Sequence, residues 1–271
     1  MSVVEVEREE KGIVYVYLNR PERINALNRE MWDQITETFN NLSREESIRV
    51  IILAGRGEKG FSSGLDLTGM PCFQEILQEE SPARKNVKAY EVAKQIQQAG
   101  MAVERVPVPV IALIHGYCLG GAVELIASAD LRIASSDAVF SLPEVALGIA
   151  PDLGGPHRLQ RLIGLGWTKR LIFTGEKIDA KTAERIGLVE EVVPDHETLF
   201  RKGREIAEMI ASNAPLAVRG AKAMINQTLI PEIDRELEVE ARISSTILPS
   251  QDVFEGMMAK IEKRKPQFKG K

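Results

Sequence analysis

The chain has 271 residues, which is enough to bury a large core within one domain. Its hydrophobic fraction of 44% and charged fraction of 27% are those of an ordinary globular protein, and a net charge of −4 argues against a nucleic-acid partner, which needs a concentrated basic face. Its two cysteines, Cys72 and Cys118, exclude a framework of several disulfides and favour a reducing compartment.

The N-terminus is charged and has no apolar core of signal-peptide length. No segment approaches the roughly 18 apolar residues that a membrane helix needs. We therefore expect a protein without a membrane partner, located in the cytoplasm, or in the mitochondrial matrix if a transit segment was removed.

The first half of the chain alternates short apolar runs with helical patterns, as the helical spacing of Met31, Ile35, Phe39 and Leu42 illustrates. The expected strands lie at 3–7, 13–18, 50–54, 108–114, 131–134 and 138–141. The expected helices of this half lie at about 28–43, 84–105 and 120–129.

After Gly155 the pattern becomes helical throughout. The expected helices lie at 156–163, 167–174, 180–187, 199–213, 215–228 and about 233–262. We predict an α/β protein with a core over residues 1–200 and a helical region over residues 201–271. The end of that region, Lys260–Lys271, holds six lysines and arginines against one glutamate, a composition typical of a solvated terminus.

Two glycine-rich segments follow buried strands. In Ile111–Leu125 a strand runs into Gly120 and Gly121, which open a helix. The first N–H groups of a helix have no internal partner and carry the positive end of its dipole, so they can hold a carbonyl oxygen while negative charge builds on it. A tight turn that needs glycine explains the same residues equally well.

The second segment, Gly60–Leu67, can aim another backbone N–H, near Ser63, at the same oxygen. Its residues Gly60–Gly64 also match the G-x-S-x-G pattern of a serine hydrolase. That elbow requires a helix directly after the serine, whereas Gly69 and Pro71 disfavour one here.

Three acids lie near these segments: Glu124 within an apolar helix, Glu144 after a proline, and Asp152 after another proline. Carboxyl groups in apolar surroundings have raised pKa values, which suits acid–base catalysis, although each alone is more often a solvent-facing acid or a cap. The histidines and cysteines show no metal-ligand spacing, and no nucleotide-binding loop is present, so we expect neither a metal nor a cofactor.

At this point the ordered motifs resemble the enoyl-CoA hydratase/isomerase (crotonase) family over nearly the whole chain. The matching segments are Leu18–Pro21 (LNRP), Ile24–Leu27 (INAL), Phe61–Asp66 (FSSGLD), His115–Glu124 (HGYCLGGAVE), Ala129–Ile133 (ADLRI), Phe140–Glu144 (FSLPE), Leu147–Gly155 (LGIAPDLGG), Glu255–Met257, Glu262–Lys265 and Phe268–Lys269.

The resemblance implies a spiral of repeated ββα units and assembly as a homotrimer or a pair of trimers. It implies that the N–H groups of Ser63 and Gly121 form an oxyanion hole for an acyl-CoA thioester, with the coenzyme A carried by the substrate. The basic tail becomes a candidate contact for the CoA phosphates. The implied substrate-binding residues are Arg23, Ile24, Ala26, Ser63, Gly64, Leu65, Asp66, Leu67, Gly120 and Gly121.

Within the family, the glutamate pair Glu124 and Glu144 resembles that of the hydratases, in which two glutamates share one water. Asp152, where many hydratases have glycine, and the long stretch before Glu124 are similar to the Δ3,5–Δ2,4-dienoyl-CoA isomerases. The sequence therefore predicts an enoyl-CoA hydratase, with a dienoyl- or other enoyl-CoA isomerase as the alternative. A non-catalytic or RNA-binding member of the fold is the alternative from another class.

Overall fold

The computed structural model describes residues 2–66 and 70–270, apart from the side chains of residues 71–74. The strands are β1 Val4–Arg8, β2 Ile13–Leu18, β3 Val50–Gly55, β4 Val110–Ile114, β5 Tyr117–Leu119, β6 Leu131–Ser135, β7 Val139–Ser141, β8 Ile178–Asp179 and β9 Glu191–Val193. The helices are α1 Arg29–Leu42, α2 Pro71–Gln78, α3 Pro82–Arg105, α4 Gly121–Ile126, α5 Gly155–Thr174, α6 Ala180–Ile186, α7 His196–Ser212, α8 Pro215–Asn226, α9 Leu229–Ile247 and α10 Gln251–Ile261.

A large sheet has the strand order β1-β2-β3-β4-β6-β9. Strand β1 pairs antiparallel with β2, and the other neighbours are parallel. Every residue of β2, β3 and β4 is buried, which explains their continuous apolar sequences, because a parallel sheet is covered on both faces.

A smaller sheet, β5-β7-β8, lies beside the large one. The chain leaves β4 for β5, leaves β6 for β7, and after β3 forms a single bridge from Ser62 to Cys118. Each pass thus places one segment in the large sheet and one against the small sheet before a helix. This repeat confirms the expected spiral of ββα units.

Two hydrophobic clusters cover the two faces of the large sheet. The larger contains Trp32, Ile35 and Phe39 of α1 together with residues of α3. The smaller contains Tyr15 and Tyr17 of β2 and packs under α7. The pocket described below opens on the side of the larger cluster.

Two helices and three strands differ from the sequence prediction. The expected helix over 233–262 is two helices, because Pro249 interrupts it and the hydroxyl of Ser250 caps α10 by accepting the Val253 N–H at 3.3 Å. By contrast, the helices expected at 156–163 and 167–174 are confirmed as the two halves of α5, which is kinked at Gly164, where φ is +73°. Helix α2 was not predicted, and neither were β5, β8 and β9; the last two show that the chain after Gly155 is not helical throughout.

The boundary proposed at residue 200 lies inside α7, and the division into a core and a C-terminal region stays a prediction. Across residues 2–66 and 70–270, no helix combines the length and the apolar character needed to cross a bilayer.

Candidate active site

Two loops lie side by side where β3 and β4 end. The Ser62 N–H donates to the Tyr117 carbonyl at 2.9 Å, and the Leu119 N–H donates to the Ser62 carbonyl at 3.1 Å. Gly64 is left-handed, with φ +82°, and a Cβ there would lie 2.4 Å from the Leu119 oxygen. Only glycine allows this approach, so the two glycine-rich segments meet as the sequence predicts.

The meeting of these loops leaves two backbone donors unused. Gly121 is the first residue of α4, and its N–H has no protein acceptor among the described residues. The same holds for the N–H of Leu65 in the part of the chain that the structure covers. Both residues line one pocket. A carbonyl oxygen in that pocket can accept from a preformed pair of donors.

Ser63 requires a correction to the predicted pair of donors. Its N–H donates to the Ile24 carbonyl at 2.8 Å, and its hydroxyl donates to the Arg23 carbonyl at 3.2 Å. Because that N–H already has an acceptor in the protein, Leu65 replaces Ser63 as the second candidate donor. Ser63 still lines the pocket.

The pocket combines an apolar wall with acidic side chains. The apolar wall consists of Trp32, Val92, Ala93, Ile96, Ile149, Leu153 and Leu248. The acids Glu124, Glu144 and Asp152 also line it, so the structure brings all three predicted acids together. Lys260 lines the same pocket and is a cation near the acids.

Glu124 lies on α4 and is 2% exposed. Its Oε2 accepts the N–H groups of Leu153 at 2.9 Å and Gly155 at 2.8 Å. No described residue donates to its Oε1, which remains for a ligand. Burial, and then the neighbouring carboxyl of Glu144, raises the pKa of Glu124 well above its ordinary value, while the Gly155 N–H opposes this.

Glu144 begins a 3-10 turn, Glu144–Leu147, directly after Pro143. Both its carboxyl oxygens are buried and receive no hydrogen bond from the described residues. Its Oε1 lies 2.9 Å from the place that a Cβ at Gly120 would occupy, so glycine at 120 makes room for this acid. Burial raises the pKa of Glu144 to about 7, and Asp152 contributes to the rise.

Asp152 lies in the segment before α5, and burial raises its pKa to about 6, while the nearby Ser244 hydroxyl opposes the rise. A fourth buried acid, Glu240 of α9, was not predicted. Its Oε2 accepts the Gly154 N–H at 2.8 Å, and burial raises its pKa to about 8. Nothing in a glutamate-rich amphipathic helix distinguishes this residue in sequence, so reasoning from the sequence passed over it.

The predicted CoA-binding residues of the first segment lie beside the pocket rather than in its lining. Ala26 is buried, and its carbonyl accepts from Arg20 at 2.6 Å. The same guanidinium pairs with Asp66 at 2.9 Å, which joins the first segment to the loop after β3. Leu67 lies outside the described residues, so its predicted contact stays a prediction.

The serine hydrolase interpretation finds no support in the loop. The elbow serine would be Ser62, which is fully buried, and its hydroxyl donates to the Asn25 carbonyl at 2.8 Å and accepts the Gly64 N–H at 3.1 Å. These contacts give the hydroxyl a structural role. Leu65 bridges to Leu27 instead of starting a helix.

The histidines lie apart from the pocket lining. His115 is buried, its Nε2 lies 2.8 Å from the Gly57 oxygen, and its ring packs edge-on against His196. Within the described ranges, no group of three or more His, Cys, Asp and Glu side chains has the arrangement of a metal site. The expectation of no metal stays a prediction.

Comparison with known proteins gives the family. The profile described as enoyl-CoA hydratase/isomerase matches residues 8–271. The crotonyl-CoA hydratase of Syntrophomonas wolfei is 38% identical over 263 residues, which cover 97% of this chain and 96% of that protein. The mitochondrial Delta(3,5)-Delta(2,4)-dienoyl-CoA isomerase of Dictyostelium discoideum is 36% identical over 257 residues, covering 95% and 87%.

A solved structure of the enoyl-CoA hydratase from Bacillus anthracis is 37% identical, has a TM-score of 0.74 and covers 99% of this chain and 100% of that one. The fold is therefore that of the crotonases. The chain belongs to the enoyl-CoA hydratase/isomerase family of the crotonase superfamily.

Proposed function

We propose that the protein is an enoyl-CoA hydratase, which adds water reversibly to a 2-enoyl-CoA thioester. The observation that carries the proposal is one pocket that is lined both by Leu65 and Gly121, whose N–H groups have no acceptor among the described residues, and by Glu124 and Glu144. The coenzyme A carried by the substrate is the only cofactor that this reaction needs.

The oxyanion donors act first on the bound thioester. Its carbonyl oxygen accepts from the N–H groups of Leu65 and Gly121, so charge that develops there is stabilised by donors that need no reorientation. The thioester is thereby polarised, and the β-carbon becomes electrophilic.

The two glutamates then divide the proton transfers. Glu124, through its Oε1, takes a proton from water as the water oxygen bonds to the β-carbon, and electrons move onto the thioester oxygen to form an enolate. Glu144 donates its proton to the α-carbon as the enolate collapses. A pKa of about 7 leaves a large share of Glu144 protonated at neutral pH and most of it protonated below, as a donor requires.

Two buried carboxyls that face one pocket cannot both ionise without a large penalty. The backbone N–H groups that bind Oε2 of Glu124 favour its ionised form, whereas Glu144 receives no such bond. We therefore assign the base to Glu124 and the acid to Glu144.

The test is turnover of crotonyl-CoA and of a 3,5-dienoyl-CoA in heavy water. We expect loss of the enoyl absorbance with the first substrate and deuterium at the α-carbon of a 3-hydroxyacyl product. Turnover of the dienoyl substrate alone contradicts the hydratase proposal and establishes the isomerase.

A dienoyl-CoA isomerase is the second candidate because Asp152 lines the same pocket with a pKa raised to about 6. In that reaction one carboxyl removes a proton from one end of the diene system and another delivers a proton to the far end. Glu144 and Asp152 are the two acids suited to these steps.

Assembly and CoA contacts complete the proposal. Leu216 and Met224 of α8 are 82% and 77% exposed, and Val239 and Ile243 of α9 are also exposed, which supports a homotrimer or a pair of trimers through the C-terminal helices. We also propose that the basic tail, Lys260–Lys271, contacts the CoA phosphates and that the protein acts in the cytoplasm.

A further inference from the structure

The turn that presents Glu124 is held by two acids from different parts of the chain. Leu153, Gly154 and Gly155 supply three consecutive N–H groups. The outer two donate to Glu124, and the middle one donates to Oε2 of Glu240 on α9. Glu240 thus lies in a second layer, one hydrogen bond behind the carboxyl that faces the pocket.

Two positions of this turn have no room for a side chain. Gly154 is left-handed, with φ +90°, and a Cβ there would meet the Arg158 guanidinium. A Cβ at Gly155 would lie 2.5 Å from Cγ of Glu124. A turn without side chains at these positions depends on its hydrogen bonds for its position.

Contacts with neighbouring elements hold α9, and with it Glu240, in place beside this turn. Glu240 is 6% exposed, and Gln97 of α3 donates to the carbonyls of both Asp152 and Leu237, at 2.8 and 2.9 Å. The same amide thus ties the segment of Asp152 to α9 one turn before Glu240. On its other side, Oε1 of Glu240 lies 3.2 Å from Nε2 of His157.

We propose that Glu240 is a positioning residue, which fixes the turn of Leu153–Gly155 through the Gly154 N–H and so sets the orientation of the Glu124 carboxyl. The proposal rests on the proposed function in so far as Glu124 acts on substrate. The contact with the turn is geometric and does not depend on the charge of Glu240.

The test separates geometry from charge with three variants and a control. Glu240→Gln keeps an acceptor oxygen at the same reach and imitates the neutral acid, which is the main form at pH 7 because burial raises the pKa of Glu240 to about 8. Glu240→Asp keeps the carboxyl but shortens it by one methylene. Glu240→Ala removes the contact. Glu236→Ala is the matched control, because Glu236 also approaches His157 but does not bind the turn.

We expect kcat for crotonyl-CoA hydration to fall about tenfold in Glu240→Asp and further in Glu240→Ala, with KM within about twofold, because displacement of a catalytic group by a fraction of an ångström lowers the rate rather than binding. Glu240→Gln and the control should stay within about threefold of the parent. A Glu240→Gln variant that loses as much kcat as Glu240→Asp overturns the proposal, and so does a Glu240→Asp variant with parental kcat.

Hydrogen exchange of backbone amides, measured without substrate, tests the positioning role independently of the proposed reaction. In Glu240→Asp, exchange at Leu153 and Gly155 should quicken about tenfold, although these N–H groups bind Glu124 and not Glu240. In Glu240→Gln it should match the parent. Unchanged exchange in Glu240→Asp contradicts the positioning role. Absence of hydration in the parent enzyme with quickened exchange in this variant contradicts only the proposed reaction.

Discussion

Buried charges are treated in opposite ways at the two ends of strand β4. Before its first residue, the Lys222 ammonium donates to Asp130 at 2.6 Å and to the Val108 carbonyl at 3.0 Å, and Asp130 also accepts the Val110 N–H. Beyond its last residue, Glu124, Glu144 and Asp152 form no ion pair with a cation among the described residues.

The difference separates a structural from a chemical use of charge. A buried ion pair whose partners satisfy each other holds two elements together and leaves both groups charged. Burial, and then the like charge of a neighbouring acid, raises the pKa of Glu124 and Glu144, which destabilises their ionised forms. The pKa of about 7 of Glu144 brings proton transfer close to neutral pH. The second arrangement is costly to the fold and useful to a reaction.

The largest effect expected is on activity at the acidic end. Glu124→Gln and Glu144→Gln should each lower kcat for crotonyl-CoA hydration by about 10²–10⁴-fold, the usual contribution of a general acid or base. Thermal unfolding should show no loss of stability, because each change removes a buried acid from a like-charged group. Turnover near the parental rate in either variant contradicts the assigned roles.

At the other end of β4, loss of the Lys222–Asp130 ion pair should lower stability. Lys222→Ala leaves Asp130 without its cation and should lower the free energy of unfolding by about 2–4 kcal/mol, less than for a fully buried pair because Asp130 is partly exposed. Denaturant titration measures it. Arg242→Ala, which breaks an exposed pair with Glu238, is the control and should leave the free energy of unfolding nearly unchanged. Equal losses in the two variants contradict the comparison.

The pH dependence of the free energy of unfolding tests whether the buried acids destabilise the fold. The folded pKa of Glu144, about 7, exceeds the unfolded value near 4.3, so the folded state binds more protons between these values and stability falls as pH rises through this window. Glu144→Gln should raise the free energy of unfolding at pH 8 by about 1–3 kcal/mol and leave it nearly unchanged at pH 4. A uniform change at both pH values contradicts this explanation.

The smallest effect expected concerns Asp152. If the enzyme is a hydratase, Asp152→Asn should change kcat for crotonyl-CoA by less than about fivefold, because neither proton of hydration passes through this group. The matched measurement is isomerisation of a 3,5-dienoyl-CoA by the same variant. A loss of hydration as large as that in Glu144→Gln shows that Asp152 takes part directly in water addition.

The fold was accessible from sequence because its signals are local. The apolar runs of β2, β3 and β4 indicate strands that are covered on both faces. The helical spacing of apolar residues in α1 indicates a helix that packs through one face. The order of the motifs gave the family. Helix α2 was missed because its 8 residues are too few for helical spacing to recur, and the break at Pro249 was missed because the apolar pattern continues on both sides of it.

The candidate site was only partly accessible from sequence. Glu124, Glu144 and Asp152 were identified because apolar residues and prolines surround them. The choice between the N–H groups of Ser63 and Leu65 depends on backbone direction within one loop, which no residue type encodes. Glu240 reaches the site across 86 residues of chain from Gly154, and only tertiary packing brings these two together.

The 3-10 turn that carries Glu144 ends in direct backbone contact with α10. A Cβ at Gly148 would lie 2.7 Å from the Asp252 oxygen, and one at Gly256 would lie 2.4 Å from the Leu147 oxygen. We therefore expect that larger residues at 148 or 256 would push the turn away from α10 and displace Glu144. Leu248, in the connection between α9 and α10, lines the pocket outside that contact. Leu248 is therefore a lining residue at which the shape of the pocket can be changed with both glycines kept.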